Sequence, residues 1–243
     1  MSCPSLLQQS QTFVARAAAE AETAVPMAGE AEAGWMLEQV RQHIYFWQPD
    51  FGGFRCQLHI VGEGGPWSAV LVAASSRDFR FEEVRGCPQL TRWAHYQVGE
   101  ILGHREHPSR SKMASRSGVR MGDDDPIYGR RLDFVGDRLA SYYRVKDLRI
   151  TQIARTYAGQ SFVICIDRHH SIQDRFVASN YTAYYSDPDG SLVKVENYQD
   201  DYLPLPDHDH LWLPSERRFT VVEGSRREHR SLQFTRHELL ATS

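Results

Sequence analysis

The stretch from Phe162 to Tyr185, with the turn that follows it, constrains the fold more than any other part of this sequence. An apolar run, Phe162-Val163-Ile164-Cys165-Ile166-Asp167, meets a polar break, Arg168-His169-His170-Ser171. An alternating segment then runs from Arg175 to Tyr185. A tight turn occupies Asp187-Pro188-Asp189-Gly190, and the chain returns as Leu192-Val193-Lys194-Val195-Glu196. Side chains on a strand alternate faces with a period of two, so such a segment buries one face and wets the other. Proline and glycine in the connection suit a tight reversal. The predicted unit is an antiparallel meander on which the rest of the chain packs.

The same alternation predicts strands over 54–60, 67–73, 77–84, 131–135, 141–146, 149–157, 211–222 and 230–240, about ten in all. Helical spacing predicts a helix over 30–47, with Trp35, Val40, Ile44 and Trp47 on its buried face and Pro49 ending it. A second helix is predicted over 89–102, with Leu90, Trp93, Ala94, Val98, Ile101 and Leu102 as its apolar stripe. Residues 1–30 read as a flexible arm. Residues 103–126, rich in Ser, Arg, Gly and Asp, read as a flap over the sheet. Residues 203–210 read as a proline-stiffened loop. A sheet of about ten strands has to curl or close. The expected fold is therefore α+β: a strongly curved antiparallel sheet, a half-barrel, with two helices packed on or in its concave face. One domain spans 31–243.

Composition excludes several function classes. With 28 Lys+Arg against 31 Asp+Glu, the net charge of -3 gives no nucleic-acid or anionic-membrane surface. No apolar run approaches the ~18 residues of a membrane span, and no secretory signal is visible, so a cytoplasmic protein without integral membrane contact is expected. Cys3, Cys56, Cys87 and Cys165 form no C-x-x-C pair and fit a reducing compartment. Phosphate-binding glycine loops and nucleophile elbows are missing, so no cofactor is expected.

Several motifs together resemble a known family. They are Tyr45-x-Trp47-x-x-Asp50-Phe51-x-Gly53-Phe54-Arg55, the His104-Arg105 pair, the turn through Tyr184, Asp187-Pro188 and Gly190, and Leu213-Pro214-x-x-Arg217. This set looks like a domain-of-unknown-function family associated with cyanobacteria and plastid-bearing lineages, over roughly residues 35–240. The resemblance implies no settled activity. The closing strand, Phe234 to Leu239, also bears a looser likeness to lipoprotein-carrier half-barrels.

Three groups of residues are candidates for chemistry. His104 and Arg105, at a helix end beside the flap, suit an acid/base and an anion clamp; they equally suit capping of the helix carbonyls. His104, His107, His208 and His210 are the residues a metal would use if one binds. Trp47, Trp93, Tyr142, Tyr157, Tyr181 and Tyr184 suit contact with a polar-headed apolar ligand, and equally suit cross-strand packing. The expected function is a binding or carrier module for an apolar or pigment-like small molecule in the concave face. The alternative is a small enzyme acting on a hydrophobic or aromatic metabolite through His104 and Arg105.

Overall fold

The computed structural model describes residues 28–106, 118–137, 139–157, 159–206 and 208–241. Among them are two helices, α1 (Ala28–Gln42) and α2 (Pro88–Arg105), and twelve strands in one sheet. The strands are β1 (Phe54–Gly62), β2 (Trp67–Ala73), β3 (Phe79–Arg85), β4 (Val119–Asp125), β5 (Gly129–Phe134) and β6 (Tyr142–Lys146). They continue as β7 (Arg149–Tyr157), β8 (Gln160–Ile172), β9 (Arg175–Ser186), β10 (Leu192–Leu205), β11 (His208–Glu223) and β12 (Arg226–Leu239). The spatial order is β3-β2-β1-β12-β11-β10-β9-β8-β7-β6-β5-β4, and every pairing is antiparallel. The sheet is open, and β3 and β4 are its ends.

The expected meander is present, and it is larger than the sequence indicated. Twelve strands replace about ten. One reason lies inside the expected flap, where residues 119–125 form β4 against β5. The Asp123-Asp124-Asp125 run belongs to that strand; Arg144 and Arg130 pair with Asp123 and Asp124. The polar break at 168–171 does not end the strand: β8 runs through it still paired with β9, and the break shows only as register shifts on either side of Arg168. The proline loop is also mostly strand, with β10 reaching Leu205 and β11 starting at His208. Residues 107–117 of the flap and 1–27 of the arm lie outside the described residues.

Helix α1 ends at Gln42, five residues before the expected stop. Tertiary pairing decides this. Tyr45 N–H donates to the Phe176 carbonyl, Phe176 N–H to that of His43, and Trp47 N–H to that of Arg105. The buried stripe of α1 is Ala33, Leu37 and Val40, at i, i+4 and i+7, and Trp35 points the other way with 61% of its surface exposed. Pro88 occupies the first turn of α2, where its missing N–H costs nothing. Gly53 has φ +98°, and a Cβ there would meet the Ala73 carbonyl oxygen at 2.1 Å, so only glycine opens β1 against β2.

Register places both helices on one face, since directly opposed residues of antiparallel strands share a face. The α1 stripe packs with Leu132 and Tyr143. From there the partners run Tyr143 to Ile153, Ile164, Ala183, Glu196 and Val221. On β11, Val221 shares a side with Arg217, which opposes Leu232, and Leu232 opposes Ile60. Leu232 and Ile60 lie in the core that α2 covers with Leu90, Ala94, Val98, Ile101 and Leu102. Each fully buried Leu or Phe in these seats contributes about 1.5–3 kcal/mol. The free edges are blunted. In β3 the register with β2 breaks beside Glu83, whose φ is +52°, and β4 slips against β5 between Met121 and Asp124.

Candidate functional site

Helix α2 carries a second stripe, Trp93, Gln97, Glu100 and His104, at i, i+4, i+7 and i+11. It meets β11, through Phe219 and Arg217. Arg217, completely buried on β11, is the anchor for this stripe. Its Nε and Nη2 donate to the two carboxylate oxygens of Asp200 at 2.7 and 2.6 Å. Its Nη1 donates to Gln97 Oε1 at 3.1 Å and Glu100 Oε2 at 3.5 Å, and its Nη2 to the Tyr181 hydroxyl at 2.9 Å. These bonds use all five N–H groups of the guanidinium. A buried charge is tolerable only when so matched.

Glu100 is less comfortable. Burial raises its carboxyl pKa, and the Arg217 charge and the Tyr96 hydroxyl at 3.0 Å offset that only in part. A second carboxylate, Glu196, accepts from the hydroxyls of Tyr185 at 2.7 Å and Tyr198 at 3.0 Å and pairs with Lys194 at 3.1 Å. Burial first, and the Glu196 charge second, push the Tyr185 phenol up. Tyr198 stacks on Tyr181 at 4.9 Å and tilts against Phe219 at 5.1 Å. Trp93 packs on Phe219, and its buried indole N–H has no partner among the described residues.

His104 is an exposed residue by surface area, yet its ring lies among protein atoms that lower its pKa to about 4. Burial is the first cause, followed by the positive charges of Arg105 and Arg217; Arg155 on β7 adds to them and Asp200 opposes. With its pKa so lowered the ring is neutral at pH 7. On the same face Ile153, Phe162, Ile164 and Ile166 form a half-buried apolar strip, Ile153 packing at its edge against the α1 cluster and Ile164 and Ile166 against the Tyr181, Tyr198 and Phe219 cluster.

The other residues singled out in the sequence separate into distinct places. Arg105 is buried and donates from Nη1 to the Tyr45 carbonyl at 3.0 Å, which ties α2 to the segment after α1. Trp47 is core, its indole N–H donating to the Trp212 carbonyl. Tyr157 and Tyr181 lie on the helix-bearing face, and Tyr181 is committed to Arg217. Tyr142 and Tyr184 lie on the opposite face, Tyr142 under Arg131 and Tyr184 39% exposed. His208 and His210 line a separate pocket of about 430 Å³ with Tyr45, Gln48, Asp50 and Phe51, which His104 does not line. His107 lies outside the described residues, and no group of three His, Cys, Asp or Glu suited to a metal occurs among those described. Sequence reading missed Asp200, Glu100 and Arg155, and it quoted Arg217 only as part of the Leu213-Pro214-x-x-Arg217 motif, with no role in a site. Arg217 was visible in one respect, because it takes an inward position in the alternation Arg217-Phe219-Val221.

Fold and site together define an open, antiparallel α+β sheet protein with two helices on one face and a buried arginine joining one of them to the sheet. The chain belongs to the DUF3386 family, described as a protein of unknown function, whose profile matches residues 29–240. No curated protein matches the sequence. No helix among the described residues is long and apolar enough to cross a membrane, which does not bear on crossing by strands.

Proposed function

We propose that the chain is a binding or carrier module for an apolar or pigment-like small molecule, held on the helix-bearing face between α1 and α2 in a sheet curled as a half-barrel. The half-buried strip of Ile153, Phe162, Ile164 and Ile166 carries this reading, being apolar surface with polar groups only at its margin. Curvature is supported by the size of the sheet, because open twisted sheets of twelve strands rarely stay flat. The alternative, an enzyme with Arg105 as anion clamp, draws less support because Arg105 is held by Tyr45.

The test is titration of the full chain with the neutral fluorophore 1-N-phenylnaphthylamine. Saturable enhancement that Ile164→Arg abolishes, with the fold checked by circular dichroism, is the expected result. Enhancement that does not saturate, or that Ile164→Arg leaves unchanged, sinks the reading.

A further inference from the structure

Arg155 differs from Arg217 in one respect that matters for a ligand. It stands on β7 opposite Phe162, which stands opposite Tyr185, so register puts it on the helix-bearing face at the edge of the apolar strip. Its Nε is buried and makes no hydrogen bond, and no described carboxylate pairs with its guanidinium. Arg217 spends all five N–H groups inside the protein; among the described residues nothing takes up the planar fork of Arg155. A half-buried guanidinium without a described partner can take up an anion, and it matches a carboxylate through two parallel hydrogen bonds. His104 stands close enough to Arg155 to feel its charge. Being neutral, it can donate one N–H to the same anion without adding a second buried charge.

From this juxtaposition we infer that the ligand is an amphipathic carboxylic acid, its acid group clamped by Arg155 beside His104 and its apolar body laid along Ile153, Phe162 and Ile164. The inference rests on the binding reading above and narrows it to one ligand class. The clamp is Arg155, from the sheet, and not the Arg105 that the sequence suggested.

The experiment uses the delipidated full chain with an anthroyloxy-labelled fatty acid and its methyl ester. In the wild type the acid binds about tenfold or more tighter than the ester, the ratio a charge-assisted bond gives. Arg155→Gln brings the acid to the affinity of the ester and leaves the ester within about twofold. Arg155→Lys, which keeps charge but not the fork, retains part of the preference. Because no described residue pairs with Arg155, neither variant lowers the melting temperature. Equal binding of acid and ester by the wild type overturns the carboxylate assignment and leaves the binding reading standing, as does an equal loss of both in Arg155→Gln. Binding of neither compound overturns both. The wild-type ratio decides the first point even if Arg155→Gln fails to fold, and Arg155→Lys then tests the clamp.

Discussion

The two helices lie on the same face of one sheet but are held differently. Helix α2 rests on a core that includes Phe54, Leu58, Leu71, Leu213, Leu232 and Phe234, beside strands of 14 and 16 residues. It is also joined to the sheet through Gln97, Glu100 and Arg217. Helix α1 rests on Ala33, Leu37 and Val40 against β4 to β7, where β4, β5 and β6 have 7, 6 and 5 residues. Among the described residues its seat is this apolar stripe. Stability is uneven within domains, and the segments that open first have few buried contacts. The sheet therefore has one helix anchored by a buried ion network and one held on shorter strands, and on the binding reading proposed above the α1 side is where a ligand would enter.

The largest effect should come from breaking the anchor of α2. Arg217→Ala leaves Asp200 and Glu100 buried without their cation, and a loss of about 3–5 kcal/mol is expected in urea unfolding. A loss below about 1 kcal/mol would show that burial alone holds α2 and that the two helices do not differ in kind. Leu37→Ala on α1 should cost about 2–4 kcal/mol. The sharper readout is hydrogen exchange. Amides of α1 and β4 to β6 should exchange faster, and those of α2 and β10 to β12 should keep wild-type rates. Uniform acceleration across the sheet would mean that the halves open together.

A smaller effect separates the halves by pH. His104 has a folded pKa lowered from 6.5 to about 4, so the fold favours its neutral form. Its contribution to stability is complete above pH 6.5 and is lost as pH falls toward 4. Glu100 acts in the opposite sense. Its raised pKa means that burial favours the protonated form, so its contribution improves as pH falls. His104→Gln should flatten the decline in melting temperature from pH 6.5 to 4, and Glu100→Gln should steepen it. Equal slopes in wild type and His104→Gln would place His104 in ordinary solvent.

How legible this was in the sequence depended on period. The strands of the meander were readable because alternation at Tyr181, Ala183 and Tyr185 is a local signal, and the α2 stripe was readable from Leu90, Ala94 and Val98. Segments whose state is set by distant partners were not. His169 and His170 look like a turn until β9 is placed beside them, and 119–125 looks like a loop until β5 is. The site was less legible still. Arg217 and Asp200 are 17 residues apart, and Gln97 is 120 from Arg217, so no spacing rule joins them. Arg105 drew attention by standing beside His104, although adjacent positions on a helix point in different directions.

Trp35 should give the smallest effect, and it bears on the less anchored helix. An aromatic at helical spacing suggests a buried face, but Trp35 stands away from the Ala33, Leu37 and Val40 stripe with 61% of its surface exposed. Trp35→Ala should change stability by no more than about 0.5 kcal/mol, the range for surface substitutions free of special contacts. Urea unfolding followed by circular dichroism measures this without relying on the tryptophan being removed. A loss of 2 kcal/mol or more would mean that Trp35 is covered in solution and that α1 has a second seat on its outer side. In that case α1 is clamped from both sides, the contrast with α2 disappears, and entry to the strip has to occur past the α2 end, beside His104.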